Sequence, residues 1–556
     1  MFMKYSIVTR IYTEILINQA VDNFTSSRFR ESRFNVTGLC IPERNYMANI
    51  SGKLDTIFCR YIQPGKYFTI NRARQYGKTT LMYLLEQRLK NDYLVIHLSF
   101  EASDEMFVSL YTLAAGLIRK FIRSLKQQQM KQTLLEPLCQ PISKQFPLDD
   151  LSEHITCLCE RSDKPIILMI DEVDKSSDNQ IFLSFLGLLR TKYLDQLQNK
   201  DLTFHSVILA GVYDIKNLKL KLHPDEEIKY NSPWNIAADF TIDLSLQPDE
   251  ISEMLTEYEK DHHTGMDVTK ISKLIFDYTD GYPYLVSRIC QIIDEKLSDQ
   301  NAYSAQNSIW TAHSVVAAEL LLRKEPNPLF DDLVKKITEY PKLKQLLQNI
   351  LFRGSSFPYE HENHFIQLGA TLCLFKEKNG TVAIANRIFE TKLYDIFISE
   401  LAVENTLYQT GSIERSQFIV DGNLQMKAVM KKFYEHFTEI YHTKDEPFLE
   451  SYGRKLFLLY LKPIINGSGN YYIEAQTRDQ KRTDIIVDFH GTQHIIELKI
   501  WHGNEYMKRG EQQLFEYLDY YHTDTGYLLS FNFNKHKKTG IREIVLNGKY
   551  IFEVIV

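Results

Sequence analysis

Between residues 36 and 245, short apolar runs alternate with longer stretches whose apolar positions recur at helical spacing. YFTI (67–70), YLVIHLSF (93–100), IILMI (166–170), HSVILAG (205–211) and FTIDLS (240–245) each read as a buried strand. TTLMYLLEQRL follows the first run and predicts a helix, as does the segment 180–193 after the third. Strands separated by helices predict βαβ units and a parallel sheet covered on both faces.

The pattern then changes. Over 248–325 it is helical: PDEISEML opens a helix with Pro and acids in its first turn, and DGYPYLVSRICQIIDEKL predicts a second. Over 326–400, helices precede LCLFKE and TVAIAN, which flank Lys378-Asn379-Gly380. Asn-Gly between two such runs is a hairpin signal, and helices followed by a hairpin predict a winged helix. Residues 401–445 read as a helical connector. The last stretch, 446–556, predicts a separate α/β unit. Its helix FLESYGRKLFLLYLKPII precedes strands at YYIEAQ, TDIIVDF and HIIELKI, the helix MKRGEQQLFEYLDYY and a strand at GYLLSF. Residues 1–35 are weakly patterned and read as an extension. A chain of 556 residues is too long for one core and predicts several domains.

Composition narrows the class. A hydrophobic fraction of 44% with 24% charged residues is that of a soluble globular protein. The net charge of −6 means that any contact with nucleic acid must come from a local basic patch. The seven cysteines are scattered and odd in number. Cys157 and Cys159 stand close but lack a second ligand pair for zinc, so reduced thiols in a cytoplasm are expected. No apolar run reaches the ~18 residues of a membrane span, so no membrane contact is expected. MFMKYSIVTR lacks the pattern of a signal peptide.

The first chemical constellation is RARQYGKTT, from Arg72 to Thr80, placed between a strand and a helix. Gly77 can turn backbone amides toward a phosphate, Lys78 can reach the β- and γ-phosphates, and Thr79 can offer a hydroxyl to magnesium. The helix that follows directs its positive end at the same anion. This is a site for ATP or GTP. Arg72 stands where the common phosphate-loop pattern has Gly. PIILMIDEVD supplies the second half: Asp171 to hold magnesium through water and Glu172 to polarise an attacking water.

With these motifs, residues 36–400 resemble the AAA-like ATPases of bacteria and archaea, related to the signalling (STAND-type) ATPases. The resemblance is carried by RARQYGKTTL, LMIDEVD, ILAGVYDIKNL, SPWNIA and TDGYPYLVSRIC with a winged helix after it. It implies a parallel-sheet core (36–247), a helical lid (248–325) and a winged helix (326–400). A leading Arg in the phosphate loop is common in that family, so Arg72 becomes a family marker. The loop residues Arg72, Arg74, Gln75, Tyr76, Gly77, Lys78, Thr79 and Thr80, with Asp171, would form the nucleotide site. GYPYL resembles the Gly-x-Pro motif of the lid, matching Gly281 and Pro283. GLCIPERNYM resembles the segment leading into the pocket, with Tyr46 at adenine. Tyr213 or Asp214 would carry the sensor group, and Arg72, Arg74 and Arg190 are candidates for an arginine finger.

The second constellation is RTDIIVDFHGTQHIIELKIW. Glu497 and Lys499 are two apart on one strand and so share a face. A hairpin at His490-Gly491-Thr492 would bring Asp484 near Glu497. Two carboxylates suit Mg²⁺ or Mn²⁺, and the ammonium suits a developing phosphorane charge. In the order Glu450, Asp484, Glu497-Leu498-Lys499, then Gln513 on a helix, residues 446–534 resemble the PD-(D/E)xK nuclease superfamily, whose fold is that of restriction endonucleases. Asp484, Glu497, Lys499 and Gln513 carry over by position, and Glu450 matches the helix acid. Thr483 stands where the superfamily name has Pro. Basic residues nearby, among them Arg478, Lys481, Arg482, Lys508 and Arg509, are candidates to follow phosphates.

These resemblances imply an ATP-operated switch over a metal-dependent nuclease, with DNA as the simplest substrate and RNA also open, in defence or mobile-element biology. The competing expectation is a regulatory or scaffold ATPase whose last unit binds nucleic acid or protein without cutting. A homo-oligomer and a protein trigger are both compatible with either.

Overall fold

In the computed structural model the described residues are 33–173, 180–212, 234–298, 309–353, 355–402, 405–440, 450–466, 469–473, 485–490, 492–500, 504–520, 523–532, 539–546 and 548–556. The first layer is a parallel sheet of β1 (Phe68–Asn71), β2 (Leu94–Ser99), β3 (Ile166–Asp171) and β4 (Ser206–Gly211), in the order β1-β4-β3-β2. β3 and β4 are buried at every position. That is why these runs are continuously apolar: both faces are covered. One face packs on α1 (Ser51–Ile57) and α2 (Lys78–Leu89), through Ile57, Leu81, Met82 and Leu85. The other packs on α3 (Leu110–Gln127), α4 (Pro147–Arg161) and α5 (Gln180–Leu197), through Leu117, Phe121, Leu158 and Phe185.

The edge strand β2 has two of its three outward carbonyls, those flanking His97, occupied by side chains. Gln128 Nε2 donates to Val95 O at 2.7 Å and Lys120 Nζ to Ser99 O at 2.8 Å.

The run expected as a fifth strand, 240–245, forms no ladder. Its neighbourhood touches β1 by a single bridge, Phe68 to Ala238. The alternation of Ile242 and Leu244 is real, and both are buried against the sheet. Its backbone groups, however, are taken by side chains: Thr241 N–H donates to Tyr61 Oη at 3.1 Å, and Arg72 Nη2 to Ile242 O at 2.8 Å.

The helical part comprises α6 (Pro248–His262), α7 (Val268–Thr279), α8 (Pro283–Gln291) and α9 (Ala312–Lys324), then α10 (Pro328–Glu339), α11 (Pro341–Arg353) and α12 (His364–Thr371). Pro248 opens α6, with Asp249 and Glu250 in its first turn. β5 (Phe375–Lys378) and β6 (Thr381–Ile384) pair antiparallel around Asn379 and Gly380, whose φ angles of 53° and 76° are those the Asn-Gly turn requires. α13 (Arg387–Ala402) follows.

The segment expected as a connector folds as α14 (Thr406–Phe418) and α15 (Met426–Ile440). It packs closely on α16 (Glu450–Ile465): a Cβ on Gly411 would lie 2.3 Å from Tyr460 O. The last sheet is mixed and six-stranded. Its strands are β7 (Gly469–Ile473), β8 (Ile485–Phe489), β9 (Thr492–Ile500), β10 (Thr525–Phe531), β11 (Gly540–Leu546) and β12 (Lys549–Ile555), in the order β7-β8-β9-β10-β12-β11. β9, β10 and β12 run parallel. One face, with Ile495, Leu528 and Ile551, meets Leu514, Tyr517 and Leu518 of α17 (Asn504–Tyr520). The other, with Ile496, Leu498 and Phe531, joins the large cluster containing Phe457 and Leu458 of α16. The hairpin β11–β12 went unread in the sequence, although Asn547-Gly548 carries the same signal as Asn379-Gly380.

Candidate functional site

β1 ends at Asn71, and the chain turns through 72–77 before α2 begins at Lys78. Two residues in this loop have left-handed backbones, Gln75 at φ 58° and Gly77 at φ 77°. Gly77 tolerates that geometry without strain; Gln75 does not. Lys78, only 8% exposed, bends back over the loop, and its ammonium donates to Arg72 O and Ala73 O, each at 2.9 Å. Thr79 Oγ1 donates to Asp171 Oδ2 at 2.8 Å. Asp171 Oδ1 in turn accepts the backbone N–H of Glu172 at 2.8 Å. The two motifs, 92 residues apart in sequence, therefore meet through one hydrogen bond. Lys78, Thr79 and Asp171 form a cation and a pair of hard oxygen donors, a set that fits a magnesium-bound triphosphate.

Arg72 does not turn toward this cradle. Its guanidinium donates to Asn71 O and Ile242 O, both at 2.8 Å, and lies 5.7 Å from the centre of the Phe240 ring. It fastens the loop to the segment 238–245. Arg74 is exposed, and Thr80 Oγ1 accepts the Cys40 N–H at 3.1 Å. Glu172 has φ 57°. Tyr213 and Asp214 lie outside the described residues.

Beside the loop opens a cavity of about 360 Å³. Its walls come from the segment 35–53, from Gln75 to Leu81, from Leu246 and Met254, and from Pro283, Tyr284 and Ser287 of α8. Met47, Ile50, Leu246 and Met254 make it largely apolar, as a flat heterocycle requires. Tyr46 lines it, with its hydroxyl 2.9 Å from Asp261 Oδ2 and its ring 5.2 Å from Tyr258. Lys53 Nζ joins this wall to α6, 2.5 Å from Glu250 Oε2.

Pro283 closes on the loop: a Cβ on Gly77 would lie 3.9 Å from its ring carbons. Gly281, at φ 70°, fits against Leu246, whose N–H donates to Gly281 O at 2.7 Å. Between them Tyr282 reaches Arg74 O with its hydroxyl. Burial holds the Tyr76 and Tyr282 phenols protonated, far above their ordinary range. It also pushes the Cys373 thiol up, against the pull of Arg72 and Lys78. Sequence reasoning gave Tyr282 no role. Its only signal is its place inside the Gly-x-Pro motif.

In the last sheet, Glu497 is wholly buried and its Oε1 lies 2.8 Å from Lys499 Nζ. A buried carboxylate is costly without such a partner. Lys499 passes Gly510 of α17, whose hypothetical Cβ would be 3.3 Å from Lys499 Cγ. Gln513, on the same helix, donates from Nε2 to Tyr517 Oη at 2.7 Å. β8 and β9 pair antiparallel, with Ile485 opposite Ile496 and Phe489 opposite Thr492. Asp484, Arg478, Lys481 and Arg482 lie outside the described residues, and Glu450 is described only as the first residue of α16. Among the described residues, no group of three or more His, Cys, Asp or Glu side chains gathers as for a metal ion, and no helix is long and apolar enough to cross a membrane.

Comparison with known proteins bears on the first part of the chain. An uncharacterized WD repeat-containing protein of Synechocystis is 22% identical over 316 residues, covering 53% of this chain and 24% of that protein. The chain thus spans about a quarter of the length of that curated relative. The Walker-type ATPase of Pyrococcus abyssi aligns at 14% identity over 65% of this chain and 99% of its own, with a TM-score of 0.41. The ORC2 protein of Aeropyrum pernix, solved as ADPNP–ADP complexes, aligns at 13% identity over 67% of this chain and 99% of its own, with a TM-score of 0.36. The model of the AAA-like domain family matches residues 51–394, well over half of the 556 residues, and the chain belongs to that family of P-loop ATPases.

Proposed function

We propose that the chain is an ATP-operated switch whose last unit is a metal-dependent nuclease. The nucleotide half of this reading rests on the cradle of Lys78, Thr79 and Asp171 beside an apolar cavity. Lys78 would exchange its two loop carbonyls for phosphate oxygens, and the base would lie among Met47, Ile50 and Leu246. Magnesium held near Thr79 and Asp171 would draw charge from the phosphates as the terminal bond breaks. Glu172 follows Asp171 directly, which suits it to orient water.

The nuclease half rests on one observation: the fully buried Glu497 contacts Lys499 on a shared strand face beneath a helix. Glu497 is a hard oxygen donor suited to a divalent cation. Lys499 is suited to negative charge that develops on a phosphodiester, most simply DNA. ATP influences this unit only through contacts that differ between two states of the molecule.

The test is a cleavage assay on single- and double-stranded DNA and on RNA, with Mg²⁺ or Mn²⁺. It is run with ATP, with a non-hydrolysable analogue and without nucleotide. Cleavage that Lys499→Ala abolishes and Lys78→Ala makes indifferent to ATP is the expected result. If the wild-type protein binds ATP yet leaves every substrate intact in every arm, the nuclease reading fails. A unit that binds without cutting then replaces it.

A further inference from the structure

Tyr282 stands where three parts of the molecule meet. It lies at the start of α8, is 2% exposed, and donates its phenol O–H to Arg74 O at 2.5 Å. Its ring stands edge-on to Tyr76 of the phosphate loop, with centroids 4.7 Å apart and planes at 75°. It also stands edge-on to Phe389 in the first turn of α13, at 5.5 Å and 84°. The backbone beside it is fixed by the bond from Leu246 N–H to Gly281 O.

The bond to Arg74 O has a consequence one residue on. In a trans peptide the C=O and the following N–H point in opposite directions. Among the described residues no peptide bond is cis, so holding the Arg74 carbonyl fixes the direction of the Gln75 N–H. Gln75 is one of the two left-handed residues of the loop, the backbone pattern that gathers N–H groups into an anion-binding hollow. A phenol on the lid therefore aims an amide of the loop.

α13 carries a second set of contacts, six residues beyond Phe389. Asp395 accepts from Arg323 of α9, and its Oδ1 lies 3.2 Å from Lys462 Nζ of α16. Lys462 also donates to Asp395 O at 2.9 Å and to Ser399 Oγ at 3.1 Å. Tyr394 stands edge-on to Tyr471 of β7 at 6.3 Å. One rigid helix thus touches the residue that holds the phosphate loop and the helix that backs the last sheet.

We propose that Tyr282 is a positioning residue for nucleotide capture, and that α13 links its placement to the last unit through the Asp395–Lys462 contact. The inference rests on reading the loop as a nucleotide site and adds how that site is set and how its state is passed on.

The test uses the full chain. Binding of MgATP and of magnesium tripolyphosphate is measured for the wild type and for Tyr282→Phe, which keeps the ring and removes the donor. Both affinities are expected to fall together, on the order of fivefold, as for one lost hydrogen bond. A fall for ATP alone, or none for either, overturns the positioning role. Hydrogen exchange of segments 450–465 and 492–500 is then followed with and without ATP. The wild type is expected to respond. Asp395→Asn and Lys462→Gln are expected to keep ATP affinity within about twofold and to lose the response. A wild type that binds ATP without responding, or a response intact in both variants, overturns the link but leaves the nucleotide site standing. A wild type that binds neither ligand ends the nucleotide reading itself, and this inference with it.

Discussion

Gly281 offers the sharpest test of how the turn before α8 is seated. Its φ is 70°, and a Cβ there would lie 2.2 Å from Leu246 O and 2.8 Å from Leu246 N. These are backbone atoms and cannot rotate away, and the same Leu246 N–H donates to Gly281 O. For Gly281→Ala, the left-handed conformation alone costs about 1–2 kcal/mol. Loss of the Leu246 hydrogen bond adds about 1–3 kcal/mol. A total near 3 kcal/mol corresponds to roughly a hundredfold change in a local opening equilibrium. Native-state hydrogen exchange reads it directly: the Leu246 amide should exchange roughly a hundredfold faster in the variant. Gly187 supplies the control. It lies inside α5 with open space around a hypothetical Cβ, so Gly187→Ala should stabilise by about 0.5–1 kcal/mol. If Leu246 in Gly281→Ala exchanges within about threefold of the wild type, the close approach of Gly281 to Leu246 is wrong.

Other outcomes follow from the same geometry. Asp171→Asn keeps an acceptor for Thr79 but loses the charge, so the gain in ATP affinity on adding Mg²⁺ should shrink at least about tenfold. The comparison titration in EDTA should barely change, and an undiminished magnesium effect would remove Asp171 from the site. Gln75→Gly relieves a left-handed non-glycine residue and removes a buried amide oxygen that lacks a hydrogen-bond partner. Set against the entropy of glycine, a net gain of about 1 kcal/mol is expected, read as a higher melting temperature without nucleotide. A lower melting temperature would contradict the strain. Burial pulls the His494 imidazole down to about 4, so it stays neutral when folded. The unfolded chain takes up the proton first. The associated stability is therefore complete above pH ~6.5 and is lost as pH falls toward ~4, amounting to at most about 3 kcal/mol. Denaturation followed from pH 7 to 4.5 should show His494→Gln with the flatter profile; equal slopes would argue against the buried imidazole.

What could be read from the sequence was what is local. The phosphate loop, the four buried strands and the Asn379-Gly380 hairpin each carry their signal within about ten residues. The segment 240–245 misled because the alternation of Phe240, Ile242 and Leu244 records burial, not which groups bond the backbone. Here Tyr61 and Arg72 do so in place of a neighbouring strand. The wall of the cavity was legible only where a motif contributes to it, as at Tyr46, Gln75 and Pro283. Ile50, Leu246 and Met254 belong to no motif and have nothing in common until the fold assembles them. The role of Arg72 shifted likewise. As a sequence position it marks a family; as a side chain it fastens 238–245 to the core.

The capping of Val95 O and Ser99 O by Gln128 and Lys120 reaches beyond the single chain. Outward carbonyls at a sheet edge invite a strand from another molecule, which would continue the ladder. At this flank two of the three outward carbonyls are already bonded, and the side chains holding them stand in the path of an incoming strand. The core sheet is therefore partly closed on the β2 side. Copies of the protein that meet there encounter side chains first, which favours a contact that can form and separate without rethreading any backbone pairing.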